Sequence, residues 1–470
     1  MSSISILPQT PVEILNRNTA TRVKSTFGAP SFAIYTLGCK VNQADSHQIA
    51  VMLQSNGFRQ VAFREAADLY VIDTCTVTAE ANRKSRKAAA RAQRNNPDAL
   101  VAVTGCAASF GAEQFHRVVP DALVLGNARK FELPELAIAK LRENADWAER
   151  YAALREQTGS EPMPLSTKER GVIKVQDGCN HHCAFCIIPT VRGISVQKAR
   201  EGILSEAHQM LAQGAREIVL TGVSLGDWGR ETNRKNERGR NAAGRNAALC
   251  YLLREVAELD DLRQLRVSSL DPSDVDEEFL QTIANHPKIC PHIHLALQSG
   301  SPSTLRRMRR RYTSALYLKW AERWREIRPD GGLTTDVIVG FPGETDEEFE
   351  ESMEMARQAQ FSSIHVFPYS PREGTAAAEF PDMVDSAIQK KRVAQLIALG
   401  NQLSHDFASQ FVGKVLSVLV EKSSQEGAEG LIPQYVRTHI TDGENLHSGD
   451  IANVRISETR GGELFGVLEN

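Results

Sequence analysis

No apolar run in the 470 residues approaches the roughly 20 needed to span a bilayer, so the sequence predicts no membrane segment. The N-terminus also lacks a basic segment followed by a compact apolar one, and no secretory leader is expected. An excess of either charge is missing too: the formal net charge is −3, with 24% charged residues. This does not argue for a nucleic-acid partner, yet local patches matter more than totals. Without export the location is expected to be cytoplasmic, the eight cysteines reduced and disulfides absent. A chain of this length exceeds one core, so two to four domains are expected.

What the chain does have is crowded cysteine. "QDGCNHHCAFCIIPTVRG" holds Cys179, Cys183 and Cys186 in the pattern C-x-x-x-C-x-x-C. A closed structural zinc site takes four ligands, commonly as two C-x-x-C pairs, and no second pair follows. His181 and His182 lie inside the cysteine loop, where folding back onto one ion is awkward. A cuboidal iron–sulfur cluster takes one thiolate per iron. Three thiolates would leave one iron open for a guest.

Three more cysteines close short β-branched runs: "SFAIYTLGC" at Cys39, "LYVIDTC" at Cys75 and "LVAVTGC" at Cys106. Helix-like stretches, "DSHQIAVMLQSNG" and "AEANRKSRKAAARAQRNN", follow the first two. Strand alternating with helix predicts a parallel sheet, whose strand C-termini share one edge. Cys39, Cys75 and Cys106 are therefore expected to converge. The bland alternative is three buried, inert thiols; that reading is kept for Cys250 and Cys290, which fit no motif.

The expected fold class is α/β. Residues 1–30, rich in Ser, Thr, Pro and Asn, read as a loose extension. Residues 31–145 form the N-terminal βαβ unit, and the polar stretch at 145–170 reads as a linker. Residues 165–405 carry six strand-like runs, "GVIKVQ", "EIVLTGV", "LRQLRVSSL", "HIHLALQSG", "LTTDVIVGF" and "SIHVFPYS". Helical segments separate them, which predicts a partial (β/α)6 barrel with active residues at the strand C-termini. The Gly-, Asn- and Arg-rich stretch 226–249 reads as a mobile surface loop. Residues 408–470 alternate in short strands and predict a small antiparallel all-β barrel.

The pattern C-x-x-x-C-x-x-C, with Phe185 before its last cysteine, resembles the signature of radical S-adenosylmethionine enzymes. "YTLGCKVNQADS", "VTGCAA", "LQSGSPSTLRRMRRRYT", "TTDVIVGFPGETDEEF" and "HVFPYSPREGT" extend the likeness, and it becomes a resemblance to the methylthiotransferases, whose last domain is an OB-like, RNA-binding TRAM barrel. The resemblance implies a 4Fe–4S cluster on Cys179, Cys183 and Cys186, whose open iron holds S-adenosylmethionine and yields a 5′-deoxyadenosyl radical. It implies a second 4Fe–4S cluster on Cys39, Cys75 and Cys106, which carries the sulfur, and a second S-adenosylmethionine as methyl donor. Phe185, Gly222, Ser268, Gln298, Asp336, Val339 and Gly340 are the expected contacts of S-adenosylmethionine.

Three branches of that family act on isopentenyladenosine in tRNA, on threonylcarbamoyladenosine in tRNA, or on an aspartate of a ribosomal protein. "GCKVNQ" and "CTVTAEANRKSRK" resemble the threonylcarbamoyladenosine branch, and the others tend to differ around the first cysteine. The implied partners are the tRNA anticodon loop, an electron donor such as a flavodoxin-type reductant, and a sulfur source. Arg83, Lys84, Arg86, Lys87, Arg309, Arg310 and Arg311 stand in basic runs that suit phosphate. Tyr435 and Arg437 are expected RNA contacts in the last domain. In "GETDEEFEE", Thr345 is expected to cap a helix. Rival readings are a zinc-stapled RNA-binding protein and an iron–sulfur electron carrier.

Overall fold

A computed structural model describes residues 30–144, 147–149, 169–230 and 246–469. Residues 1–29 of the expected extension, most of the linker and most of the 226–249 loop fall outside the described residues.

The N-terminal runs form strands as their apolar, β-branched composition demands: β1 (Ser31–Thr36), β2 (Arg59–Gln60), β3 (Leu69–Thr74), β4 (Leu100–Gly105) and β5 (Leu123–Val124). They make one sheet in the order β2-β1-β3-β4-β5, parallel throughout. Alternate residues serve opposite faces. Phe32, Leu69, Val71 and Ala102 pack on α1 (Lys40–Ser55), while Tyr70, Ile72 and Val103 pack on α2 (Ala79–Asn95). Both faces are buried, which is why these strands read as unbroken apolar runs.

The second unit is built on β6 (Arg170–Asp177), β7 (Val196–Gln197), β8 (Glu217–Gly222), β9 (Gln264–Val267), β10 (His292–His294), β11 (Gly332–Val339) and β12 (Ser363–Pro368). All except the short antiparallel β7 lie parallel, in the order β7-β6-β8-β9 and β10-β11-β12. Parallel bridges at Leu265–Ile289 and Leu270–Leu295 join the two sheets. Among the described residues β12 does not pair with β6, so the barrel is open on that side. The C-terminal half of the "HIHLALQSG" run leaves the sheet early. Gln298 takes a left-handed φ of 63° there, with its backbone bonded across to Asp336 and Ile338.

Alternation sorts this barrel. Ile173, Val175, Leu265, Ile293, Leu295, Leu333 and Val337 face the surrounding helices in one large core. Their neighbours Arg170, Lys174, Arg266, His292, His294, Thr334, Asp336 and His365 face inward. The helix Asp346–Ala359 starts at Thr345, whose side chain accepts from the Glu348 N–H while the Glu348 side chain accepts from Thr345, as the sequence led one to expect.

β13 (Val415–Ser424), β14 (Gly427–Leu431), β15 (Arg437–Ile440), β16 (Ile451–Arg460) and β17 (Glu463–Leu468) close a small barrel in the order β13-β14-β15-β17-β16. One contact, β15 with β17, is parallel, so the barrel is not the wholly antiparallel one that the alternation suggested. No helix among the described residues is long and apolar enough to cross a membrane.

Candidate dual-cysteine active site

The three N-terminal cysteines converge. Cys39 precedes α1, Cys75 follows β3, and Cys106 opens the short helix α3 (Cys106–Phe110) at the end of β4. Glycines set the angle of entry. Gly38 has φ 110°, and a Cβ there would sit 3.2 Å from the Cys75 Sγ. Gly105 has φ 94°, and a Cβ there would strike the Asp73 carboxylate at 2.4 Å. Only glycine adopts these conformations cheaply at such close quarters. Burial pushes the Cys75 thiol up to about 12, with Cys39 and Cys106 near enough to add repulsion. Burial also raises Cys106, against the pull of Arg192.

Cys179, Cys183 and Cys186 lie in the loop after β6, at a strand C-terminus as the barrel rule requires. The loop is pinned by backbone bonds from Cys179 to Gly193 and from Ala184 to Met308. Burial pushes the Cys186 thiol up to about 12, with Cys183 and Cys179 adding to the shift. His181 does not join the thiols through its ring, which meets Ser224 Oγ at 3.2 Å and Asp227 at 3.6 Å.

Each thiol group receives a donor. Arg192, from the helix Ile188–Arg192, places Nε 3.3 Å from Cys106 Sγ. The Asn127 amide lies 3.6 Å from the same sulfur and donates to the Val191 carbonyl at 2.9 Å. Arg310 reaches Cys183 Sγ at 3.0 Å and Asp271 at 2.6 Å. Ile187, the residue after Cys186, packs with Val191 on Cys106. The two groups are therefore neighbours, joined by one short helix. Three thiols, N–H donors aimed at sulfur and no fourth side-chain ligand among the described residues fit an open cluster better than closed zinc.

Behind the thiols runs a buried ionic network. Asp45 of α1 meets Lys130 at 2.6 Å and Arg192 at 3.2 Å, and it also pairs with Lys174. Asp177 meets Lys174 at 2.7 Å, Arg192 at 2.8 Å and Lys130 at 3.1 Å. Two carboxylates thus hold three cations at the junction of the N-terminal unit with the barrel.

The other residues expected from the sequence fall in two sets. Ser268 is 8% exposed and its Oγ has no hydrogen-bond partner among the described residues. Asp336 lies 3.3 Å from His294 and 3.1 Å from His365. Burial works against its charge, yet the two imidazoles hold the carboxyl well below its ordinary range. Phe185 packs edge-on to Phe341, Gly222 faces Gln176, and Gly340 follows Val339 with φ 74°. Among the basic residues, Arg83 pairs with Glu80, Arg86 donates to Gln114, and Lys84, Lys87 and Arg309 are exposed. Arg311 pairs with Asp274 at 3.4 Å, and Arg437 with Glu429 and Glu421. Arg310, with a side chain only 9% exposed, is turned to the sulfur of Cys183 and to Asp271. Tyr435 points not to an outer face but onto His292, ring centres 4.7 Å apart.

The inward-facing Arg170, Lys174, Glu217, Arg266, His292, His294 and His365 were not among the expected site residues. Part of their signal was present: "HIH" puts polar residues at every second position of a strand otherwise buried.

Comparison with known proteins agrees with this geometry. Residues 31–126 match the family described as uncharacterized protein family UPF0004, and residues 173–356 match the radical SAM superfamily. The chain is 34% identical to threonylcarbamoyladenosine tRNA methylthiotransferase MtaB of Bacillus subtilis, over 90% of this chain and 93% of that one. It is 33% identical to tRNA-2-methylthio-N(6)-dimethylallyladenosine synthase of Syntrophotalea carbinolica, over 91% and 97%. A radical S-adenosylmethionine methyltransferase from Kitasatospora setae, solved with cobalamin and a [4Fe-4S] cluster, shares the fold at a TM-score of 0.51 and 16% identity, covering 74% of this chain and 76% of that one. With two cysteine triads joined at the mouth of an open barrel, and relatives matched over nearly their whole length, the chain belongs to the radical S-adenosylmethionine methylthiotransferases, enzymes that use S-adenosylmethionine and 4Fe–4S clusters.

Proposed function

We propose that the enzyme places a methylthio group on C2 of threonylcarbamoyladenosine at position 37 of tRNA. The observation that carries this reading is the pair of three-thiol groups held side by side, with Arg192 touching Cys106 from the helix that follows Cys186. In this reading Cys179, Cys183 and Cys186 hold one 4Fe–4S cluster, and Cys39, Cys75 and Cys106 hold the other. When bound, the clusters and S-adenosylmethionine supply a radical able to take hydrogen from carbon, and the sulfur and methyl group that replace it.

The chain's own residues bind, orient and shield. Arg192, Asn127 and Arg310 give N–H donors to cluster thiolates, which steadies the reduced sulfurs. Phe185, Phe341, Tyr369 and Phe380 form an apolar patch beside the radical loop that keeps water away. Ser268, Gln298 and Asp336 offer polar atoms at strand ends to S-adenosylmethionine, with Asp336 kept ionised by His294 and His365. Val339 and Gly340 would line the adenine, and Gly222 would border the methionine end.

The working units are 31–145, 165–405 and 408–470, acting in the cytoplasm with a flavodoxin-type electron donor and a sulfur source. Exposed Arg83, Lys84, Lys87 and Arg309 are available to tRNA phosphates. Identities of 34% and 33% do not separate the two tRNA substrates, so the substrate rests on "GCKVNQ" and "CTVTAEANRKSRK". Mass spectrometry of tRNA nucleosides from cells lacking the enzyme decides it. Loss of 2-methylthio-threonylcarbamoyladenosine alone is expected. Its persistence, or loss of the isopentenyl product instead, overturns the assignment.

A further inference from the structure

Lys40 is the residue after Cys39, and its Cα is only ~3.8 Å from that of the cysteine. Its side chain is half-buried, and its Nζ lies 5.8 Å from the centre of the Tyr435 ring. Tyr435 comes from the opposite end of the chain and is held at φ 70°, a costly conformation for a bulky residue. The Tyr435 ring stacks on His292, and the Arg266 guanidinium lies 4.9 Å from its centre. The Lys40 charge is the main influence holding the Tyr435 hydroxyl below its ordinary range. Lys40 from the first domain, Arg266 and His292 from the barrel and Tyr435 from the last domain therefore meet at one place.

Charge at this place is unbalanced. Lys174 has Asp45 and Asp177; Arg170 has Glu217 and Glu421; Arg266 has Glu217 at 3.2 Å. Among the described residues, Lys40 alone of these four cations has no carboxylate at ion-pair distance. A half-buried ammonium without a counter-ion costs desolvation that a bound anion would recover.

We propose that Lys40, with Tyr435 beside it, binds the carboxylate of the substrate's amino-acid arm and so sets the choice of nucleoside. This rests on the threonylcarbamoyladenosine reading given above. In that nucleoside the carboxylate hangs from N6, which lies on the same ring edge as C2 with only N1 between them. With C2 turned toward the N-terminal thiol group, the arm would pass close to Cys39, and Lys40 is the residue that follows Cys39. An isopentenyl arm has no charge to offer, and leaves the ammonium unpaired.

The test uses the full chain, reconstituted without oxygen, and anticodon stem-loops that differ only at position 37. One carries threonylcarbamoyladenosine, one its methyl ester, and one unmodified adenosine. The wild-type chain is expected to bind the free acid about 10- to 100-fold more tightly than the ester, as a charged hydrogen bond would give. Lys40→Met is expected to erase that preference and raise the KM for the acid, Lys40→Arg to keep part of it, and Tyr435→Phe to weaken it. Iron content of each variant fixes the loaded fraction to which rates refer. Equal wild-type affinity for acid and ester overturns the proposal without recourse to any variant. A Lys40→Met loss that is equal on all three stem-loops also overturns it, and assigns Lys40 to a backbone phosphate. Failure of the wild-type chain to convert the acid at all would instead refute the underlying choice of nucleoside.

Discussion

Arg192 is buried to 1% exposure and spends every nitrogen: Nε on Cys106, one terminal nitrogen on Asp45 and Asp177, the other on Asn42 at 2.8 Å. Burial opposes its charge, but the thiol and carboxylates around it keep it firmly ionised. Arg192→Gln should therefore lower cluster occupancy or turnover about 10- to 100-fold, the usual cost of losing a partner behind a metal ligand. Its spectroscopic trace is specific, because only the N-terminal cluster's electron paramagnetic resonance signal and potential should move. The cysteines themselves separate by count. Cys106→Ala and Cys179→Ala should each drop iron from about eight to about four per chain. Anaerobic iron and sulfide analysis checks this, and unchanged iron in either would dismiss that triad as a ligand set.

At the scale of elements, the barrel strands carry two patterns at once. Their outward residues are ordinary core, while inward positions on β6, β8 and β9 hold Arg170, Glu217 and Arg266. Glu217 is fully buried and meets Arg170 at 2.5 Å and Arg266 at 3.2 Å. Those two arginines overcome the cost of its burial and hold its carboxyl below the ordinary range. Glu217→Ala would leave two buried guanidiniums short of a counter-charge. A loss of about 3–5 kcal/mol is expected for breaking such a group, read from the midpoint of denaturant unfolding. A loss under about 1 kcal/mol, the worth of a surface pair, would mean that water reaches these arginines.

For the whole molecule, the decisive feature is the seam between the N-terminal sheet and the barrel. Asp45, 1% exposed, stands among Lys130, Lys174 and Arg192 and ties α1 to β6. Asp45→Ala should speed hydrogen exchange in α1 and β6 while leaving β13 to β17 protected, since local openings follow local contacts. Uniform acceleration would show that the seam is not a separate cooperative unit. Removal of iron by a chelator should also lower the thermal midpoint, because ligands that bind only the folded chain stabilise it by mass action. An unchanged midpoint would mean that the thiol groups hold their places without metal.

Much of this was legible in the residues. Runs such as "LYVIDT" and "LVAVTG" are apolar at consecutive positions, as a parallel strand covered on both faces is, and they alternate with helix-like stretches, so strand, sheet and the shared edge of Cys39, Cys75 and Cys106 followed. The spacing of Cys179, Cys183 and Cys186 marked an open site for the same local reason. What no local pattern contains is the partner of each polar side chain. Arg310 and Arg309 are adjacent and chemically identical, yet one is buried against Cys183 and the other is exposed. Tyr435 and His292 are far apart in sequence and meet only because the last barrel docks on the middle one. Periodicity is a property of neighbours along the chain, so the sequence determined the elements, their order and the two thiol groups. Pairing of charges depends on distances across domains, so only the tertiary structure decided that Arg192 joins the two groups and that Lys40 is left without a counter-ion among the described residues.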